Sequence, residues 1–262
     1  MIDFHNHVLP NIDDGSKSLE MSLNMLRFAS EQGITDVVNT VHYKHPKVEY
    51  RNLNYSFIHG EIKKLQNELD KNQISIKLHL ASEVFFNPTI ESLINDPLAV
   101  FSVKKFMLIE FQPHIIPDFQ TELLFNLKMA GVNPIIAHPE RYLSVQNEIN
   151  TVFDWLNLGC LIQIDAGSVL GTFGKGTKKC SERIIKNGWA QILGSDAHND
   201  KKRNFCLAEA YNTIFKWIGK DAHKLVFDNP KALIEGKHIQ IEYEEEARKT
   251  SMLKNLFLNW VR

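Results

Sequence analysis

Short apolar, β-branched segments alternate along the chain with longer segments of helical period, and this alternation constrains the fold more than any other feature. Seven segments predict strands, at residues 2–6, 34–41, 74–83, 106–111, 133–138, 160–165 and 189–194. Helical patterns lie between them, near residues 18–32, 54–72, 119–130, 146–158, 177–187 and 204–219. Regular alternation of this kind implies a parallel sheet. We therefore predict an α/β fold with a barrel-like arrangement.

The domain organisation follows from length and uniform composition. No Gly/Ser linker, composition shift or fixed-period repeat divides the 262 residues, and one α/β barrel commonly has this length. We predict a single domain over residues 1–262. From about Glu242 the chain is charged and then places apolar residues at helical spacing between Met252 and Trp260. A C-terminal helix at about 246–260 is expected to pack on the body, or alternatively on a partner.

Charge, hydropathy and cysteine usage exclude several classes of protein. The net charge is −1, so no excess positive field favours nucleic acid. The start, MIDFHNHVLP, lacks the pattern of a signal peptide, and no stretch approaches the roughly 18 apolar residues of a membrane helix. The 3 cysteines are odd in number and widely spaced, unlike a disulfide framework. We expect a cytoplasmic protein without nucleic-acid binding or membrane insertion.

Polar side chains stand at the carboxyl ends of the predicted strands, where the active sites of parallel barrels form. They are His5, His7, His42, Glu83, Glu110, His138, Asp165, Asp196 and His198. His5 and His7 are two residues apart, so in an extended chain they point to one face and can share a metal ion. One such pair is a weak signal, but Asp196 and His198 repeat the spacing. The sequence therefore predicts a metal site.

Two carboxylates end otherwise apolar segments, SIKLHLASEV and FMLIEF. Unpaired charge at Glu83 or Glu110 would be costly there. The neutralising group could be a lysine such as Lys104 or Lys105, or it could be a divalent metal. The surrounding histidines favour the metal.

Asp14 lies in the turn Asp13-Asp14-Gly15 that follows the first strand. Aspartate and glycine are ordinary turn residues, so the turn alone carries no functional meaning. Its position beside His5 and His7 makes Asp14 a plausible ligand. Mixed nitrogen and oxygen ligands suit manganese, zinc or iron.

Two arginines lie close to predicted ligands: Arg141 in HPER and Arg203 after SDAH. Each could grip a phosphate with its planar fork, or could simply be solvated at the surface. Asp165, in DAGS, could support the site from behind the ligands or belong to a structural turn. The other histidines are predicted to stand apart from the site, namely His45, His59, His79, His114, His223 and His238. His45 could be an exception, because it lies three residues after His42 and could replace it as a ligand if the loop is helical.

Other phosphatase and nucleotide chemistries lack their motifs. No cysteine begins C-x5-R, and no G-x-S-x-G is present. The segment GTFGKGT at 171–177 resembles a phosphate loop, but Val169 stands where the Walker spacing needs glycine. Metal chemistry is the mechanism that the sequence favours.

The order of these residues resembles the polymerase and histidinol phosphatase (PHP) superfamily over nearly the whole chain. More narrowly, IDFHNHVLPNIDDG, VHY, HPER, DAGS and SDAH resemble the bacterial PHP-type protein-tyrosine phosphatases that control capsule and exopolysaccharide synthesis. The resemblance implies a distorted, TIM-like (β/α)7 barrel with three divalent metals, most often manganese, with iron or zinc as alternatives. The family often has proline where this chain has Val41.

The resemblance also implies an assignment of ligands. His5, His7, Glu83 and Asp196 would hold one metal; Glu83, Glu110 and His138 a second; Asp14, His42 and His198 a third. Arg141 and Arg203 would bind the phosphate.

The leading hypothesis for function is hydrolysis of phosphotyrosine on a bacterial tyrosine autokinase, by attack of a metal-bound hydroxide. Asp14 or a nearby histidine would help to protonate the leaving phenolate. A small-molecule phosphatase, such as one acting on histidinol phosphate, is the enzymatic alternative. A metal-stabilised binding subunit without turnover is the alternative from another class.

Overall fold

Residues 1–48, 53–103 and 105–239 are described by a computed structural model of the chain. The C-terminal helix predicted at about 246–260 lies outside the described residues. Within them, a sheet of seven strands runs in sequence order, and each strand pairs in parallel with the next. The strands are β1 (Ile2–Asn6), β2 (Asp36–Tyr43), β3 (Lys77–Phe85), β4 (Phe106–Glu110), β5 (Asn133–Ala137), β6 (Leu161–Asp165) and β7 (Ile192–Gly194).

The first and last strands come together at their carboxyl ends. The His7 amide donates to the Ala197 carbonyl at 2.8 Å, and the Asp196 amide donates to the His5 carbonyl at 2.7 Å. An isolated parallel bridge joins Asn6 to Ala197. The sheet is therefore a nearly closed barrel, which confirms the predicted distorted (β/α)7 architecture.

Helices cover the outside of this barrel. The helices of the described residues are α1 (Leu19–Glu31), α2 (Tyr55–Lys71), α3 (Gln120–Met129), α4 (Leu143–Asn147), α5 (Asn150–Asn157), α6 (Ala166–Leu170), α7 (Lys175–Lys186), α8 (Leu207–Ile218) and α9 (Asn229–Ile234). Short 3-10 turns occur at Pro46–Val48, Ile90–Leu93, Pro139–Arg141 and Gly219–Asp221, and a π turn at Lys224–Asp228. None of these helices is both long and apolar enough to cross a membrane, within the described residues.

Side-chain capping explains where the first two helices begin. The Ser18 side chain accepts a hydrogen bond from the Met21 amide, and Asn54 caps α2 in the same way. These caps satisfy amides that have no partner inside the helix. The prediction of a single helix near residues 146–158 was wrong. α4 and α5 are separate helices, because the chain is not helical at Glu148.

The core has two parts, one between the helices and the sheet and the other inside the barrel. A larger cluster packs the helices on the sheet, with Met25, Leu65 and Trp155 among its members. A smaller cluster includes Phe106 and Leu108 of β4. These two residues share a strand face with Glu110, because alternate residues of a strand point the same way. The interior is thus apolar at its base and polar at the carboxyl end of the strands.

Candidate metal centre

All nine predicted ligand residues meet at the carboxyl end of the barrel, and His45 joins them. Their candidate ligand atoms form four overlapping groups, and within each group the atoms lie within 4.8 Å of one another. The groups are His7, Asp14, His42 and His198; His5, His7 and Asp196; His5, Glu83 and His138; and His42, His45 and Glu110. We call these ten residues the ligand cluster.

Glu83 lies at the centre of the ligand cluster. Its Oε2 atom is 3.2 Å from His5 Nε2 and 3.1 Å from His42 Nδ1, while its Oε1 atom is 2.9 Å from His138 Nε2. In the described part of the chain, the ion-pair partners found within 4 Å of this carboxylate are the ring nitrogens of histidines. Lys105, named above as an alternative partner, is not among them, and Lys104 lies outside the described residues.

Asp14 closes the cluster on the solvent side. Its Oδ1 atom is 3.2 Å from both His42 Nε2 and His198 Nε2, and its side chain is 33% exposed. These three residues are the set that the resemblance implied for one metal, and His7 joins them.

His45 was predicted to stand apart from the site, and the structure places it within the cluster. Its Nε2 atom is 3.5 Å from Glu110 Oε2, and its ring lies against that of His42 at 4.6 Å between centroids. The chain reverses just after β2, because Lys44 adopts a left-handed φ of 56° and a 3-10 turn follows at Pro46–Val48. Glu110 is 3.9 Å from His138, so it lies nearer to His45 than to its implied co-ligand.

The ring nitrogens that face the centre of the cluster fit a metal site. His5 Nε2, His7 Nε2 and His42 Nδ1 are buried and have no partner of hydrogen-bond geometry. The opposite nitrogens are held from outside: His5 Nδ1 lies 3.0 Å from Gln163 Oε1, and His7 Nδ1 lies 2.9 Å from Asp13 Oδ2. If Nδ1 donates in each pair, Nε2 keeps its lone pair for a cation. Buried imidazoles and carboxylates in this arrangement match the donors of manganese, iron and zinc.

Gln163 and Asp13 support the ligand histidines, and neither was predicted from the sequence. Gln163 is a polar residue within the buried strand β6, and this could have indicated an inward contact. Asp13 was hidden by its neighbour Asp14, because the turn gave no basis for choosing between two adjacent carboxylates. Asp13 also accepts the Gly15 amide at 2.9 Å and the His42 amide at 3.1 Å.

The electrostatics of the cluster reflect crowded, buried carboxylates. Burial and the adjacent charge of Glu83 raise the pKa of Glu110 to about 8. Burial lowers the pKa of His42, but the charge of Glu83 outweighs it and raises the pKa to about 10. At neutral pH the proton of His42 therefore supplies positive charge beside Glu83.

Two arginines converge on the far oxygen of Asp196. Arg141 Nη1 is 2.5 Å and Arg203 Nη2 is 2.6 Å from Asp196 Oδ2. Arg141 also lies 3.3 Å from Asp165 Oδ2, so Asp165 supports the site from behind, one of the two roles considered for it. The side chains of Arg141 and Arg203 are 26% and 32% exposed, and both guanidinium groups can therefore reach a bound anion.

Backbone geometry at the ends of β5 and β7 helps to aim the ligands. His138 has a φ of 32° and Asp196 a φ of 48°, both in the left-handed region that side chains rarely adopt. Such conformations are costly and often mark functional sites. The sharp turns direct both side chains toward Glu83 and its histidine neighbours.

Comparison with known proteins identifies the family of the chain. Residues 1–235 match the family model described as capsular polysaccharide synthesis, CpsB/CapC. CapC of Staphylococcus aureus is 32% identical over 213 residues, covering 81% of this chain and 82% of CapC. The tyrosine-protein phosphatase YwqE of Bacillus subtilis is 30% identical over 240 residues, covering 91% of this chain and 93% of YwqE.

The chain is also similar to solved structures. One similar chain comes from the crystal structures of YwqE from Bacillus subtilis and CpsB from Streptococcus pneumoniae, which are described as metal-dependent tyrosine phosphatases. It matches with a TM-score of 0.86 and 30% sequence identity. It covers 92% of this chain and 97% of the solved one. Histidinol phosphate phosphatase from Lactococcus lactis, at 15% identity and a TM-score of 0.56 over 82% and 92% of the two chains, shares the fold. The chain belongs to the CpsB/CapC family of capsular polysaccharide synthesis.

Proposed function

We propose that this protein is a metal-dependent phosphatase that hydrolyses phosphotyrosine in proteins. The observation that carries the proposal is the meeting of ten buried or half-buried ligand side chains with two arginines at one end of the barrel. The relatives named as tyrosine-protein phosphatases support phosphotyrosine as the substrate class. A bacterial tyrosine autokinase of capsule or exopolysaccharide synthesis is the proposed partner.

We propose that the ligand cluster holds up to three divalent ions, with manganese favoured and iron or zinc as alternatives. Divalent ions neutralise charge on phosphoryl oxygens and make water a stronger nucleophile at neutral pH. The residues proposed to bind them are His5, His7, Asp14, His42, Glu83, Glu110, His138, Asp196 and His198, with His45 added from its position beside Glu110.

Arg141 and Arg203 are proposed to hold the substrate's phosphoryl oxygens. Both guanidinium groups already face one carboxylate oxygen of Asp196, and each keeps further N–H donors for an anion. Arg203 Nε is buried and has no hydrogen-bond partner. A phosphate placed between the two arginines would satisfy such donors and would be oriented by them.

Asp14 is proposed to act as the acid for the leaving phenolate. It is the most exposed of the four carboxyl groups of the ligand cluster, and it faces the open side of the site. A nearby histidine is the alternative proton donor.

The proposed location is the cytoplasm. Cys160, Cys180 and Cys206 are free and buried or half-buried, which fits a reducing compartment. Cell fractionation with an antibody would test this location.

The test of function is hydrolysis of a tyrosine-phosphorylated peptide with added manganese, together with elemental analysis of the native protein. Asp196→Ala and His138→Ala are expected to lower kcat/KM by at least about 100-fold, because each removes a proposed ligand. Lys186→Ala, at an exposed ion pair of α7, serves as the matched control. Turnover that is unchanged in both ligand variants would overturn the mechanism. Faster cleavage of histidinol phosphate than of the peptide would instead favour a small-molecule phosphatase.

A further inference from the structure

The loop between α6 and α7 places an aromatic side chain against both arginines of the site. The Phe173 ring centroid lies 4.6 Å from Arg141 Cζ and 5.8 Å from Arg203 Cζ. This loop is the GTFGKGT segment that resembles a phosphate loop without its spacing. Its glycines and its one lysine have no part in the mechanism above, and Phe173 is the residue of this segment that contacts both arginines.

The loop is built to hold the ring in this place. Gly171 and Gly174 on either side of it have φ values of 90° and 98°, which glycine adopts most readily. The Thr177 hydroxyl donates to the Phe173 carbonyl at 3.2 Å. A Cβ atom at Gly167 would lie 3.0 Å from Phe173 Cε2, so the ring packs closely on the backbone of the DAGS segment.

We propose that Phe173 is a specificity-determining residue that favours phosphate esters of phenols over those of alkyl alcohols. The proposal rests on the proposed function, since it takes Arg141 and Arg203 as the groups that hold the phosphate. A phosphate bound by both guanidinium groups lies next to the aromatic ring that contacts both of them. The ester group of the substrate then extends past the half-buried Phe173, where a phenyl ring can pack and a short alkyl chain cannot fill the same area.

The same ring also acts on the arginines themselves. A guanidinium near an aromatic face is attracted by the electrons of the ring. The contact offsets part of the repulsion between two cations that share one carboxylate oxygen. Phe173 would therefore affect every phosphate ligand to some extent, and only the additional effect on aromatic ligands reports on specificity.

The experiment compares two phosphonates that differ by one ring. Phenylphosphonate and methylphosphonate are not hydrolysed, so their dissociation constants can be measured by calorimetry on manganese-loaded protein. In Phe173→Leu, we expect the dissociation constant of phenylphosphonate to rise about 3- to 10-fold more than that of methylphosphonate, the size of one aromatic contact. Phe173→Tyr keeps the ring and is expected to keep the preference. Phe125→Leu, at an exposed aromatic residue of α3, is the matched control.

Equal losses for both phosphonates in Phe173→Leu would overturn the proposal, because Phe173 would then only position the arginines. A preference that survives in Phe173→Leu, or is lost in Phe173→Tyr or Phe125→Leu, would overturn it too. Manganese content and thermal unfolding of each variant show whether the site is intact. Since the readout is binding, a protein that binds both phosphonates but cleaves no phosphotyrosine peptide would contradict the proposed function and leave the inference on Phe173 standing.

Discussion

Asp196 joins the two halves of the site through its two oxygens. Its Oδ1 atom lies 3.3 Å from His7 Nε2, on the side of the ligand cluster, and its Oδ2 atom lies against Arg141 and Arg203. Burial raises the pKa of Asp196, but the neighbouring histidines and Arg141 hold it well below its ordinary value. The carboxylate is therefore ionised. A change in the ligand cluster that moves Asp196 would also move the partner of Arg141 and Arg203.

The planar fork of Arg141 leads to a prediction about substrate binding. Arg141→Lys keeps the positive charge but replaces several fixed donors by one ammonium group. We expect kcat/KM for a phosphotyrosine peptide to fall by about 10- to 100-fold, with most of the loss in KM. Steady-state kinetics measure this split. Arg27→Lys, on the exposed side of α1, should leave kcat/KM unchanged. An equal loss of kcat/KM in Arg27→Lys would contradict a specific role for the Arg141 guanidinium.

Asp13 leads to a prediction about metal affinity. It contacts His7 Nδ1 at 2.9 Å, and losing that contact frees the ring to turn. Asp13→Asn is expected to weaken manganese binding by about 10- to 100-fold, as for other residues that orient metal-bound histidines. Competition with a chelator gives the affinity. Asp70→Asn, at an exposed position of α2, is the control. Manganese affinity that is unchanged in Asp13→Asn would show that packing alone orients His7.

At the scale of elements, the strands could be predicted and the loops could not. A period of two and the rule that active sites lie at strand ends predicted that Glu83, Glu110 and Asp196 would meet, although β2 and β3 each extend past their predicted ends. The position of His45 depends on a reversal at Lys44, whose left-handed backbone has no glycine to mark it. Phe173 lies in a loop, and the sequence pattern of a loop does not indicate which distant residues, here Arg141 and Arg203, its side chains contact.

The closure of the barrel leads to a prediction about stability. At Gly194 in β7, a Cβ atom would lie 2.5 Å from His5 Cβ and 2.8 Å from His5 N. Gly194→Ala should therefore push β1 and β7 apart, at a cost of about 1–3 kcal/mol. For a chain of this size, we expect Tm to fall by about 2–4 °C per kcal/mol.

Gly60→Ala is the matched control for that variant. Gly60 lies within α2, and a Cβ atom there would meet nothing within 4 Å. Alanine is favoured over glycine inside a helix, so Tm should rise slightly, by the equivalent of about 0.5–1 kcal/mol. A Gly194→Ala protein as stable as the parent would show that the strands can separate without cost.

At the scale of the whole molecule, the barrel concentrates carboxylates and imidazoles in one buried place. Ligands from distant parts of the sequence, from His5 to His198, meet in a buried volume. Burial lowers the pKa of His5 and of His7, but adjacent carboxylates outweigh it and raise both. Without metal, the neighbouring carboxylates therefore favour the protonated forms of these histidines. A divalent cation would compete for the same nitrogens.

This competition predicts that metal binding releases protons. His42, with a pKa of about 10, is protonated at pH 7 in the metal-free protein and must lose its proton to become a ligand. The pKa values of His5 and His7 are raised in the same direction, which favours their protonated forms over metal binding. Glu110, with a pKa of about 8, adds another proton. His138 contributes none, because burial and the charge of Arg141 lower its pKa to about 4. Manganese affinity should therefore increase with pH through neutrality.

Calorimetric titration of the metal-free protein with manganese, in buffers of different ionisation enthalpy, measures this release directly. The observed heat should depend on the buffer, with a slope that corresponds to protons leaving the protein. A chelator that removes the metal should return the protons and lower Tm, because the ions bind the folded state. His79, whose ring lies 2.8 Å from Asp36 outside the ligand cluster, provides the control: His79→Gln should give the same slope. Heats that do not vary with buffer would mean that the imidazoles are already neutral, and that some other charge balances Glu83 and Asp196.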